Sequence, residues 1–122
     1  RCAFCGARLG GIGSIRSGID AAHILAWSQH DLDVVQNGIA LCKLHHWAFD
    51  AGILALRKEG ESYYLRFTTL ADLIDEESRA RIAFEGTKIP TEWLPANPKL
   101  HPSVDYLMRL YADLGLTFKS DV

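Results

Sequence analysis

Two short pairs of soft side chains constrain this chain more than any other feature. Cys2-x2-Cys5 opens the sequence, and Cys42-x2-His45 repeats the spacing further on. Either spacing sets two donors on one tight turn, so that both reach a single tetrahedral ion. Four protein donors of the Cys3His kind close the coordination shell, which marks a structural zinc site rather than a catalytic one. Apparent zinc-binding energies on the order of 10 kcal/mol would make the ion part of the fold itself. The chain holds three cysteines, an odd number that fits zinc in a reducing compartment better than a disulfide framework. The plainer alternatives are a Cys2–Cys5 disulfide or two ordinary small residues. His46 competes with His45 for the fourth position, and the matching x2 spacing favours His45.

The 122 residues allow one domain, 1–122, with a core over 1–54 and an extension over 55–122. Arg1 stands where a first Met would be and Cys2 follows at once, which reads as a piece of a longer protein. No apolar run is long enough for a membrane span, and nothing resembles a signal peptide. A cytoplasmic location is therefore expected. The net charge of −2 argues against self-sufficient nucleic-acid binding, because phosphate contacts come mostly from clustered Lys and Arg. It leaves open a catalytic module whose grip comes from a bound cation or a separate recognition domain on its N-terminal side.

The pattern predicts a small α+β fold. Residues 1–18 are rich in Gly and read as a knuckle and loop. The apolar run 19–27 is a candidate strand, Asn37-Gly38 a turn signal and 39–42 a second strand. A helix is expected over 43–52, closed by Gly52 at C′. Segments 53–57 and 63–67 read as a second hairpin around Glu59-Gly60. Residues 70–85 are expected to be partly helical, and the Pro-rich stretch 86–100 irregular and wrapping. A last helix is expected to start at Pro102, with Val104, Leu107, Met108, Tyr111 and Leu114 on one face. Trp47 and Phe49 are expected in the core, with His30 and His101 facing solvent.

A second cluster gathers His23, Asn37, His46 and Asp50. On a helix His46 and Asp50 are one turn apart and project from one face, where an imidazole and a carboxylate can chelate one divalent cation. His45 lies about 100° around the helix and faces another way. Phosphodiester hydrolysis needs an activated water, charge neutralisation on the phosphate and stabilisation of the leaving oxygen. Histidine, titrating near neutrality, suits the first need, and a hard cation suits the other two. Asn37 can tie down the turn and orient His23. Taken singly, His23 reads as a half-buried structural histidine, Asn37-Gly38 as a bare turn and Asp50 as a surface carboxylate. Lys43, Arg57, Lys58 and Arg66 are either phosphate contacts or a solvated face.

The string "AAHI…NGIALCKLHHWAFDAGIL", over roughly residues 20–54, resembles the HNH endonuclease superfamily, particularly its branch among bacterial restriction endonucleases. The resemblance implies a ββα-metal (His-Me finger) core. It implies that His23 is the general base, Asn37 the middle structural Asn, His46 a metal ligand and Asp50 a further ligand. The Cys2, Cys5, Cys42 and His45 pairs look like the family's zinc-ribbon variant. Many members carry Asp or His just before the base histidine, where this chain has Ala22; Asp20 or a water is the candidate to fill that gap. DNA hydrolysis to 5′-phosphate and 3′-hydroxyl ends is the activity the resemblance implies. Structural Zn2+, a catalytic Mg2+, Mn2+ or Ni2+, and a possible homodimer complete the expectation. The competing expectation is a zinc-stabilised DNA- or protein-binding module without chemistry, which has no need of the second cluster.

Overall fold

In the computed structural model, residues 1–26 and 34–122 are described. Strand β1 (Ile19–His23) pairs antiparallel with β2 (Gly38–Cys42), from Ile19 opposite Cys42 to His23 opposite Gly38. Helix α1 (Lys43–Asp50) follows β2 directly, with Cys42 as its N-cap. Its buried residues, His45, Ala48 and Phe49, fall at i, i+3 and i+4, the stripe that lays a helix against a sheet. Ala22 of β1 is almost fully buried beneath it. Beyond the helix end Gly52 takes φ 73°, the left-handed turn that suits a residue without a Cβ.

A second hairpin joins β3 (Leu54–Glu59) to β4 (Ser62–Phe67). Leu54, Leu56 and Leu65 from this pair and Leu41 from β2 are all but inaccessible to water, each burial stabilising the fold by about 1.5–3 kcal/mol. The extension covers both edges of this sheet. Residues 86–89 bond along β4, Leu65 N–H donating to the Thr87 carbonyl at 2.8 Å and Ile89 N–H to the Tyr63 carbonyl at 2.8 Å. Across the sheet, the Tyr111 hydroxyl accepts from Leu56 N–H at 3.0 Å and donates to the Leu56 carbonyl at 2.8 Å. The β4 edge is thus paired, and the β3 edge is interrupted at Leu56. Helix α2 (Glu76–Ile82) and helix α3 (Val104–Leu114) complete the extension. The α+β architecture with two small antiparallel sheets agrees with the expectation, including the partly helical 70–85 segment and the irregular 86–100 stretch.

Several local expectations are corrected. Asn37-Gly38 is not a tight hairpin turn. Asn37 ends a short 3-10 turn and Gly38 has extended backbone with φ −126°, because the β1–β2 connection is long. Helix α3 starts two residues after Pro102, since Ser103 caps it by accepting from Tyr106 N–H. On α3, Leu107 and Tyr111 are buried, whereas Met108 and Leu114 are exposed. Trp47 is 52% exposed because it lies on the face of α1 opposite the hairpin, while Phe49 is in the core as expected. His101 is half-buried, Nε2 bonded to the Pro95 carbonyl at 2.7 Å and the ring against Tyr63. His30 lies outside the described residues. No helix among the described residues is long and apolar enough to cross a membrane.

Candidate functional site

Two clusters of metal-ligand type flank one turn of α1. In the first, the donor atoms of Cys2, Cys5, Cys42 and His45 all lie within 4.8 Å of one another. A tetrahedron with Zn–S bonds of about 2.3 Å has edges of about 3.8 Å, so the spacing fits that ion. The knuckle is fixed by its own backbone: Cys2 N–H donates to the Ala7 carbonyl and Gly6 N–H to the Cys2 carbonyl. Ala3 N–H donates to the Ala40 carbonyl at 2.8 Å, pinning the knuckle to β2. His45, not His46, faces the thiols, its Nδ1 3.2 Å from Cys42 Sγ and 3.6 Å from Cys2 Sγ. Its Nε2–H donates to the Ile82 carbonyl at 2.6 Å. Such a bond from the far ring nitrogen fixes ring and tautomer, the usual support of a ligating imidazole.

The electrostatics of this cluster suit a cation. Burial pushes the Cys2 thiol up, but its contact with His45 and nearby backbone N–H groups more than offset that and leave it at about 6. Burial also drives Cys5 up, and the neighbouring Cys2 and Cys42 add to the effect, to about 12. Burial disfavours the charged His45 ring, yet its contacts with Cys2 and the Ile82 carbonyl raise it to about 9. Packed thiols cannot all ionise together unless a positive charge sits among them. Zinc meets that condition, and Cys2, Cys5, Cys42 and His45 would hold it as a structural ion. Among the described residues, no other group of three or more such side chains is gathered so closely.

The second cluster is open. His23 stands exposed at the end of β1, and a groove of about 480 Å³ brings it together with His46 and Asp50. His46 Nε2 lies 3.0 Å from Asp50 Oδ2, the one-turn spacing expected from sequence. The other ring nitrogen, Nδ1, lies 2.7 Å from Asp20 Oδ2, and the second oxygen of Asp20 takes the Lys43 ammonium. Lys43, and after it His46, holds the Asp20 carboxyl below the usual carboxylate range. Asp20 is thus brought to the cluster with both oxygens engaged.

Asn37 is fully buried and does not line the groove. Its Oδ1 accepts from Leu25 N–H at 2.8 Å and its Nδ2 donates to the Leu25 carbonyl at 2.9 Å, while its own carbonyl accepts from Ile24 N–H. The side chain so completes the backbone just past His23, where the strand has ended. Far wall residues Leu110, Asp113 and Leu114 come from α3. Sequence reasoning missed them, as it missed the Ile82 carbonyl, because no local pattern announces a contact across that much chain. All four of the basic residues considered as phosphate contacts have protein partners: Lys43 meets Asp20, Arg57 meets Asp121, Arg66 meets Glu59 and Glu85, and Lys58 lies over the Tyr63 ring.

Comparison with protein families matches residues 2–57 to the family described as HNH endonuclease. Comparison with curated proteins and with solved structures gives no match.

Proposed function

Because residues 2–57 belong to the HNH endonuclease family, we propose that this chain is a metal-dependent DNA endonuclease domain of restriction type. The observation that carries the reading is the shared groove of His23, His46 and Asp50 beside a separate, closed Cys3His cluster. A binding module would need only the latter.

In this reading His23 accepts a proton from the attacking water, a task for an exposed imidazole at the rim of a groove. Asn37 fixes the backbone that follows His23 and so the direction from which the ring acts. His46 and Asp50 would hold a divalent cation such as Mg2+, Mn2+ or Ni2+, which supplies charge neutralisation at the phosphate and at the leaving oxygen. Asp20, a candidate third ligand by sequence, fits better as the carboxylate that keeps the His46 ring oriented. Its two oxygens are already committed to His46 and Lys43. The products are 5′-phosphate and 3′-hydroxyl ends. Target choice is assigned to a recognition domain on the N-terminal side, and the whole 1–122 unit to a cytoplasmic enzyme able to act as a homodimer.

The test is plasmid nicking with Mg2+, Mn2+ or Ni2+. His23→Ala is expected to cut about 10²–10⁴-fold more slowly than the parent, with unchanged zinc content. Equal rates would remove His23 from the role of base. A parent inactive with each of the three cations would leave the zinc-stabilised binding module as the better reading.

A further inference from the structure

The groove itself is acidic, with Asp50 and Asp113 in its walls and Asp20 behind His46. Apart from a bound cation and its two imidazoles, its described lining residues offer nothing to hold a polyanion. Elsewhere the basic residues are largely neutralised in place: Lys43, Arg57, Arg66 and Lys119 all face carboxylates. Lys58, Lys88 and Lys99 also lack an ion pair among the described residues, but the longest stretch of the chain without a carboxylate is the N-terminal one, which holds the loop between the knuckle and β1. Positions 1–19 contain Arg1, Arg8 and Arg16 and none of the 15 acidic residues of the chain. Among the described residues Arg8 and Arg16 have no ion-pair partner, and every residue from Arg8 to Ser17 is exposed.

This loop is a built arm rather than a slack connection. Gly18 N–H donates to the Leu9 carbonyl at 2.6 Å and closes its base. Near the tip Ile12 and Ile15 bond to each other in both directions, at 2.9 and 3.2 Å, around Gly13 with φ 58°. Directly opposed residues of an antiparallel bridge share a face, so the two isoleucines stand side by side. They are 74% and 69% exposed. An ordered tip that presents two large aliphatic side chains to water while burying neither calls for a partner. The arm also runs straight into β1, the strand that carries Asp20 and ends at His23.

We propose that the arm of residues 8–18 is the element that seats the DNA duplex. Arg8 and Arg16 lie against backbone phosphates, and the Ile12–Ile15 tip enters a groove against sugar and base edges, as apolar wedges do in minor-groove binding. The proposal rests on the nuclease reading, which names DNA as the partner; the charge of the arm and its paired aliphatic tip argue for it independently of the catalytic residues.

The experiment measures anisotropy of a fluorescein-labelled random-sequence duplex against salt, without added Mg2+, for the parent, R8A/R16A and I12S/I15S. All four positions are exposed and remote from the core, so zinc content and far-UV dichroism are expected to match the parent. For R8A/R16A the slope of log affinity against log salt should fall by about one per arginine. For I12S/I15S affinity should fall severalfold with the slope retained. An unchanged slope in R8A/R16A, with parent nicking intact, overturns the arm and leaves the nuclease standing. If I12S/I15S instead keeps its DNA affinity and changes only the sedimentation of the protein, the tip is a protein contact and its placement on DNA falls. A parent that fails to bind duplex even at low salt yet nicks plasmid overturns the arm alone; one that neither binds nor nicks overturns both readings.

Discussion

The two clusters on either side of α1 differ in almost every physical respect, though adjacent residues, His45 and His46, belong to them. The Cys3His cluster is largely enclosed: Cys2, Cys42 and His45 are buried while Cys5 is exposed, Phe4 covers the imidazole edge-on at 5.9 Å, and its four donors lie within 4.8 Å of one another. The His46–Asp50 pair is open, half-exposed and short of donors. A closed set leaves no coordination position for substrate, whereas a sparse one leaves several. Donor count, with burial of three of the four donors, thus separates a site that holds the chain together from one available for chemistry.

Stripping zinc with a strong chelator should sharpen that contrast most. Loss of a contribution on the order of 10 kcal/mol exceeds the whole stability of most domains, so the cooperative melting transition should vanish in calorimetry. A chelated protein that melts within a few degrees of the parent would break the distinction. Next in size, Asn37→Ala leaves the N–H and carbonyl of Leu25 without their buried partners. At about 1–3 kcal/mol for each of the two unsatisfied groups, denaturant titration should show a loss of about 2–6 kcal/mol. The smallest effect is expected for Asp20→Ala. Removing the carboxylate behind His46 should weaken Mn2+ binding about 10–100-fold in titration calorimetry and leave bound zinc untouched. A loss of zinc in that variant would mean that the two clusters are not separable.

Much of this was legible in the chain because it is local. The x2 spacings, the one-turn step from His46 to Asp50 and the left-handed Gly52 are set by neighbours in sequence, and the structure has each where the pattern put it. What escaped depends on contacts between distant residues. Trp47 reads as core by type, but the helix turns it away from the hairpin. Lys43 reads as either a phosphate contact or a solvated residue until Asp20, across the strand pair, is seen to take it. Asn37-Gly38 carries the strongest turn signal in the chain, yet the asparagine is spent inside, completing the backbone of Leu25.

The adjacency of His45 and His46 has a mechanical meaning. Consecutive residues of a helix are separated by a fixed rotation of about 100°, so the helix acts as a crank with two handles. With one handle bolted to the knuckle and, through Nε2, to the Ile82 carbonyl, the direction in which the other leaves the helix is set, and Asp20 has only its ring left to hold. Oxidation of the thiols would release the bolt, and the crank would then be free to turn.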